Sequence, residues 1–176
     1  MGVCTSINEN NRKKESSDIK ELITISNDLK TCSQKSESCY KQGLKTIKSQ
    51  IEKGDYEKAR IEAEKTLKNK KHKIIYEYLS KKLSSIYQRL NDLQKKQKLT
   101  EDQKQLTYKM LSHKKTMNPI LIIQTINEFE KNLGNDNDNN KNNLFDGVNA
   151  ANVPNDEVDQ LINQVSKLNI KNSIFS

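Results

Sequence analysis

At 176 residues the chain has the length of one domain, yet only 32% of it is hydrophobic, 31% is charged and it has no Trp. That excludes a thick globular core and favours thin helix-on-helix packing, in which each helix buries one stripe. The net charge of +8 is uneven: residues 1–118 carry 27 Lys/Arg against 15 Asp/Glu, and residues 119–176 carry 4 against 8. A basic body followed by an acidic tail points to an anionic partner that the tail can mimic. No apolar run approaches the roughly 20 residues of a membrane span. The N-terminus lacks the apolar stretch of a signal peptide, so a cytosolic chain with Cys4, Cys32 and Cys39 as reduced thiols is expected.

The chain opens on Met1-Gly2-Val3-Cys4-Thr5-Ser6. This fits the N-myristoylation pattern, with Gly2 freed by loss of Met and Ser6 in the required place. Cys4 stands where a palmitoyl chain supplies a second anchor, and Arg12, Lys13 and Lys14 add a basic cluster; one acyl chain alone binds membrane only marginally. Residues 1–16 are therefore read as a membrane-anchor segment.

A first long helical arm is expected from Ser17 or Asp18 to Lys53. Leu22, Ile25, Leu29, Cys32, Ser36, Cys39, Leu44, Ile47 and Ile51 follow three- and four-residue steps. Cys32 and Cys39 fall on that face as small core residues, since no further Cys or His stands near enough to make a metal pair. Gly54 suits the left-handed position just past a helix end, and Asp55 suits the N-cap of the next. The two arms thus form a hairpin.

The second arm is expected from Asp55 to about Gln97. Ala59, Ala63 and Leu67 lie near the turn, small enough for close helix approach. Ile74, Ile75 and Tyr78 lead into Leu79, Leu83, Ile86, Leu90 and Leu93, which step as a coiled-coil seam. Dense cations decorate this arm: Lys68, Lys70, Lys71 and Lys73, with Arg60 and Lys65 nearby, and Lys95, Lys96 and Lys98 at its end. Without aromatic platforms they read as charge-only contacts to phosphates of a membrane surface or a nucleic acid.

Thr100, with Gln103 three residues on, reads as a capping box opening a short helix to about His113. Asn118-Pro119 opens another, N-cap then Pro at the first helical position, with Ile120, Ile123, Ile126, Phe129 and Leu133 on its face and Gly134 at its end. Residues 134–154, rich in Asn and Asp, read as a flexible linker. Residues 155–176 follow as an amphipathic tail helix with Val158, Leu161, Ile162, Val165 and Leu168 apolar. Leu161, Val165 and Leu168 are expected to dock on the hairpin, steered by Asp156, Glu157 and Asp159. The fold class is all-α: a long antiparallel helical hairpin over residues 17–133 with short C-terminal helices, and a flexible acidic tail. No glycine-rich phosphate loop, paired carboxylates in an apolar setting, nucleophile–base pattern or metal-ligand cluster occurs. No catalytic, metal or cofactor site is therefore expected, and an enzyme is argued against.

Two resemblances bear on function. Gly54-Asp55-Tyr56-Glu57-Lys58-Ala59 resembles the turn of a tetratricopeptide repeat, but Ile47 stands where a small residue belongs, no proline closes the second helix, and no second copy follows. The broader resemblance is to the ESCRT-III family, in particular the type-1 charged multivesicular body proteins. Ile51-Glu52-Lys53-Gly54-Asp55 followed by Ala59-Arg60-Ile61-Glu62-Ala63-Glu64 resembles that subgroup's first turn and second helix. Lys115-Thr116-Met117-Asn118 resembles the motif before its fourth helix, at matching spacing. Phe129-Glu130, Pro154 and Val158-Asp159-Gln160-Leu161-Ile162 extend the match, which covers about residues 20–170.

The resemblance implies subunits that polymerise with one another on anionic endosomal membranes and help cut membrane necks during multivesicular body formation and vacuolar sorting. It also implies a tail that folds back in the closed monomer. The Gly2 pattern resembles a different branch of the family. The family's terminal helix for the MIT domain of an AAA ATPase is matched only in leucine-like spacing, by Val158, Leu161, Gln164, Val165, Leu168 and Asn169. The tail helix is accordingly read as the fifth helix, with a degenerate MIT ligand as the alternative. A peripheral membrane protein that binds no nucleic acid is expected; a helical-repeat or coiled-coil adaptor and a basic nucleic-acid binder are the competing classes.

Overall fold

The computed structural model describes residues 3–134 and 153–174, with side chains described for residues 13–134 and 153–167. Five α-helices carry the chain: α1 Val3–Glu52, α2 Tyr56–Lys95, α3 Glu101–Ser112, α4 Pro119–Asn132 and α5 Asn155–Ile174, with a 3-10 turn at His113–Lys115. No strand occurs among the described residues. The linker expected at residues 134–154 lies mostly outside them, as does Gly2.

α1 and α2, 50 and 40 residues long, form a hairpin-like pair. The reversal follows from two adjacent residues. Gly54 takes φ +74, the left-handed region a side chain resists, and the Asp55 N–H reaches back to the Gln50 carbonyl. Asp55 then accepts the Lys58 backbone N–H on Oδ1 at 3.2 Å while its carbonyl takes the Ala59 N–H, so it caps α2 as expected. The Lys58 ammonium lies 2.6 Å from Asp55 Oδ2 and holds that carboxyl below its ordinary range.

α1 begins some fourteen residues earlier than the anticipated Ser17 or Asp18. No Gly or Pro interrupts residues 3–42, so the polar run Asn8-Glu9-Asn10-Asn11 contains nothing that must break a helix. Residues 3–16 of the segment read as a membrane anchor thus lie in α1. α2 ends at Lys95, where Gln97 takes φ 56 and the Lys98 N–H bonds the Leu93 carbonyl.

The described residues pack as two compact units. One holds residues 3–31 and 76–134. Here Ile19, Leu22, Ile25 and Leu29 of α1 and Leu79, Leu83, Ile86 and Leu90 of α2 are buried, so the seam expected on α2 is a core. Ser26 and Ser80 lock the pair reciprocally: each hydroxyl donates to the other residue's carbonyl at 2.8 Å. α3 starts on the expected capping box, in which Gln103 N–H donates to Thr100 Oγ1 and Thr100 N–H to Gln103 Oε1. Asn118 caps α4 through the Ile120 N–H, with Pro119 first in the helix. α4 buries Ile122, Ile123, Ile126 and Phe129; Ile120 lies at the edge of that stripe.

The second unit holds residues 32–75 and 153–174. It corrects the expected α1 face. Cys39 is exposed and Cys32 half-buried, while Ser33 and Gly43 are buried in their place. A heptad drifts around a straight helix, so residues read off a seven-residue step leave the contact line over this distance. Ser33 Oγ donates to the Lys73 carbonyl at 3.0 Å. Gly43 sits so close to Thr66 that an added Cβ would fall 2.1 Å from its Oγ1. Of Ile74 and Ile75, both expected among the apolar residues of α2, Ile75 is buried and Ile74 is 50% exposed.

Candidate functional site: the tail helix on the hairpin end

The second unit has one apolar cluster, built from both arms and from α5. Ile47, Ala59, Ala63 and Leu67 are buried with Val153, Val158, Leu161 and Val165, and Leu44, Ile51 and Ile162 pack at the edge. The small side chains at positions 59 and 63 of α2 open a shallow seat on its surface. Branched residues of α5 fill it, since their i, i+3 and i+4 spacing puts them on one face. α5 is aimed by its own start: Pro154 receives the Val158 N–H on its carbonyl, and Val153 and Val158 are both buried in the cluster. This is the arrangement of a hydrophobic staple, which fixes the angle at which a chain enters a helix.

Charge flanks the apolar seat. The Arg60 guanidinium donates to Asp159, and Lys71 Nζ lies 3.3 Å from Glu157 Oε2. Both pairs link α2 to α5. The side chains of Arg60 and Asp159 are 41% and 54% exposed, so the pair orients α5 more than it binds it.

The structure sorts the cations expected to face phosphates. Arg60 and Lys71 are taken by the tail helix itself. Lys68 bonds Glu64 at 2.7 Å, which with its charge holds the Glu64 carboxyl below its ordinary range. Lys73 lies 3.5 Å from Glu37, which Lys41 also reaches at 3.0 Å; Lys41, then Lys73, lowers that carboxyl. Lys65 points outward, 4.0 Å from Glu62. Lys70 is exposed and has no ion pair among the described residues. In the other unit, Lys13 and Lys14 are exposed, and Lys14 sits 5.8 Å from the Tyr108 ring centroid. Gly2 and the side chains of Cys4, Arg12 and Leu168 lie outside the described residues.

The structure thus brings Leu161 and Val165 into one apolar seat, with Arg60 and Lys71 at its rim, and leaves Lys65 and Lys70 at the surface. Sequence reasoning missed Val153, which it placed in the linker; its position just before a helix-opening Pro154 was the available signal. It also missed Gly43, a glycine inside a long helical run with no turn to explain it, which marks a close approach.

Among the described residues, no group of three or more His, Cys, Asp or Glu could hold a metal ion, and no helix is long and apolar enough to cross a membrane. Compared with family models, curated proteins and solved structures, the chain gives no match.

Proposed function

We propose that this chain is an ESCRT-III-like membrane-remodelling subunit, which assembles with copies of itself and related subunits on anionic endosomal membranes. In this reading it serves multivesicular body formation and vacuolar sorting, has no catalytic role, and is held closed by α5. The observation that carries the reading is α5 seated on the hairpin end, with Glu157 and Asp159 occupying Lys71 and Arg60. Those two cations cannot serve acidic tail and acidic membrane at once. A lipid surface rich in phosphates therefore competes with the tail for them, and release of α5 uncovers Ile47, Ala59, Ala63 and Leu67 for contact with another subunit. A few kcal/mol suffices to keep such an open state at the per-cent level. Lys65 and Lys70 remain outward for a first electrostatic encounter, while acylation at Gly2, aided by Cys4, Arg12, Lys13 and Lys14, supplies the anchor. The outer face of α5 remains available to an MIT-domain ATPase.

The test is sedimentation of wild type, a truncation after Asn143, and Leu161→Asp across a concentration series, with and without anionic liposomes. Both variants are expected to assemble at lower concentration and to bind liposomes more readily. Leu161→Asp does so with every acidic tail residue in place, which separates packing from charge. Identical curves for all three would refute the lock.

A further inference from the structure

A second polar feature lies in the unit that does not contain the tail. A cleft of about 650 Å³ opens where residues 15–20 of α1 meet the last turn of α2 and the start of α3. Its walls carry Lys20, Lys95 and Lys104 with the carboxylate of Glu15 and amides from Asn91, Gln94 and Gln97, and Glu101 reaches Lys104 from outside at 3.6 Å. Lys20 and Lys95 are exposed and have no ion pair among the described residues. Lys104 is held 2.7 Å from Glu15, a contact that raises its pKa and keeps it charged.

The cleft is braced. Glu15 and Lys104 tie α1 to α3, and one turn along Tyr108 lines a small cavity with Asp18 and lies 5.8 Å from the Lys14 ammonium. One wall is strained: Gln97 sits at φ 56, where glycine or asparagine is the usual residue. At Gly54 the same helix-ending geometry is built with a glycine. A glutamine kept in this conformation beside a polar cleft points to a use for its side chain.

The lining chemistry is specific in kind. Lysines supply point charges for phosphate oxygens. Amides donate and accept, and Glu15 accepts, so the remaining groups suit hydroxyls. We propose that this cleft binds a polyol phosphate, a hydroxylated ring or chain bearing phosphomonoesters. Such a group occurs as the headgroup of a phosphorylated inositol lipid and as a free sugar or inositol phosphate. The lipid source rests on the membrane reading above; the site itself does not. Lys20 lies seventeen residues along α1 from Val3, about 26 Å of helix at ~1.5 Å per residue.

The experiment uses the full chain and two probes: soluble inositol trisphosphate by calorimetry, and vesicles of phosphatidylcholine with a phosphorylated inositol lipid, against vesicles charge-matched with phosphatidylserine. Lys20→Gln with Lys95→Gln is expected to weaken binding of both probes about tenfold. Lys30→Gln with Lys45→Gln, which removes equal charge from exposed lysines elsewhere, is expected to leave it within about twofold. Gln97→Gly is expected to weaken binding about threefold while leaving thermal stability equal or higher, because it relieves the backbone and removes the amide.

Preference for the inositol-lipid vesicles that soluble trisphosphate abolishes supports the lipid source. Trisphosphate binding without vesicle preference supports the same site with a free ligand, and leaves the membrane reading to fail separately. Absence of trisphosphate binding, equal loss in both lysine pairs, or stronger competition by an acidic peptide than by trisphosphate would overturn the proposal.

Discussion

Two short helices, α4 in one unit and α5 in the other, are each tied to α2, and they are held differently. α4 presents Phe129, fully buried, with Ile122, Ile123 and Ile126. One of its polar fastenings ends on a buried carboxylate: Glu130, 5% exposed, receives the half-buried Lys82 ammonium at 2.8 Å, and the half-buried Arg89 donates to the Leu133 carbonyl at 2.6 Å, closing the helix end. Among the described residues α5 presents Val158, Leu161 and Val165, with Val153 before it and Ile162 at the edge, and its ion pairs stand at the rim. A buried charge pair is costly to break from one side, whereas a rim pair exchanges with water and ions. The two helices thus differ in how open their charge pairs are to solvent.

The sharpest contrast comes from the largest side chains. Phe129→Ala is expected to destabilise the first unit by about 3–5 kcal/mol, and Leu161→Ala to weaken α5 docking by about 2–3 kcal/mol. Urea unfolding together with hydrogen exchange resolved by helix measures both. In Leu161→Ala the α5 amides should lose protection while α4 keeps its own. If both helices open together in either variant, they are one cooperative element and the distinction fails.

The seat beneath α5 depends on how closely the arms approach. At Gly43 a Cβ would meet Thr66, which is fully buried and cannot swing away. Gly43→Ala should therefore destabilise the second unit by roughly 1–3 kcal/mol and loosen α5 with it. Thr66 Oγ1 has no hydrogen-bond partner among the described residues, so Thr66→Ala sheds an unsatisfied hydroxyl and makes room. The double variant should recover most of the loss by thermal denaturation. Additive losses would mean that Gly43 matters for some reason other than this contact.

Much of this architecture is legible in the chain because it rests on local chemistry. Gly54-Asp55, Thr100 with Gln103, and Asn118-Pro119 each declare a helix boundary through a backbone need that few residue types meet. The seam of Leu79, Leu83, Ile86 and Leu90 is equally plain. What escapes is set by partners distant in sequence. Ser33 and Gly43 are buried because Lys73 and Thr66 lie against them, and nothing in their neighbours says so. Arg60 and Lys71 read as free cations until α5 places Asp159 and Glu157 on them. The apolar side of the candidate site was thus readable from periodicity, and its charge pairing only from the fold.

The rim pairs should be worth little to docking itself. Arg60→Gln is expected to change α5 protection by at most about 1 kcal/mol. Its effect on liposome binding has the opposite sign from that of Leu161→Asp, because a cation is removed while the tail stays seated. Co-sedimentation at low and moderate salt reads this directly. A loss of α5 protection as large as that of Leu161→Ala would show that the rim pair, not the apolar seat, holds the tail.

The smallest expected difference is in pH response. His113, beside α4, has its pKa held below the ordinary 6.5 by burial first and then by the nearby Lys109 charge, with Glu128 opposing. Thr125 donates its hydroxyl to the Leu121 carbonyl, so its oxygen is left to accept from His113 Nε2 at 3.2 Å, a bond that either protonation state makes; burial and Lys109 disfavour the charged ring. A lowered folded-state pKa means that the unfolded chain takes the proton first. The stabilisation is complete above about pH 6.5 and is lost as pH falls through the folded-state value. In the other unit, Glu37, Asp55 and Glu64 have carboxyls lowered by lysine partners, so their contribution is lost only below about 4.5. Hydrogen exchange between pH 7 and pH 5 should therefore show α4 weakening while α5 holds, and His113→Gln should abolish the slope at α4. Should α5 weaken in the same window, or the slope survive in His113→Gln, the two helices would share a titrating group and would not be held independently.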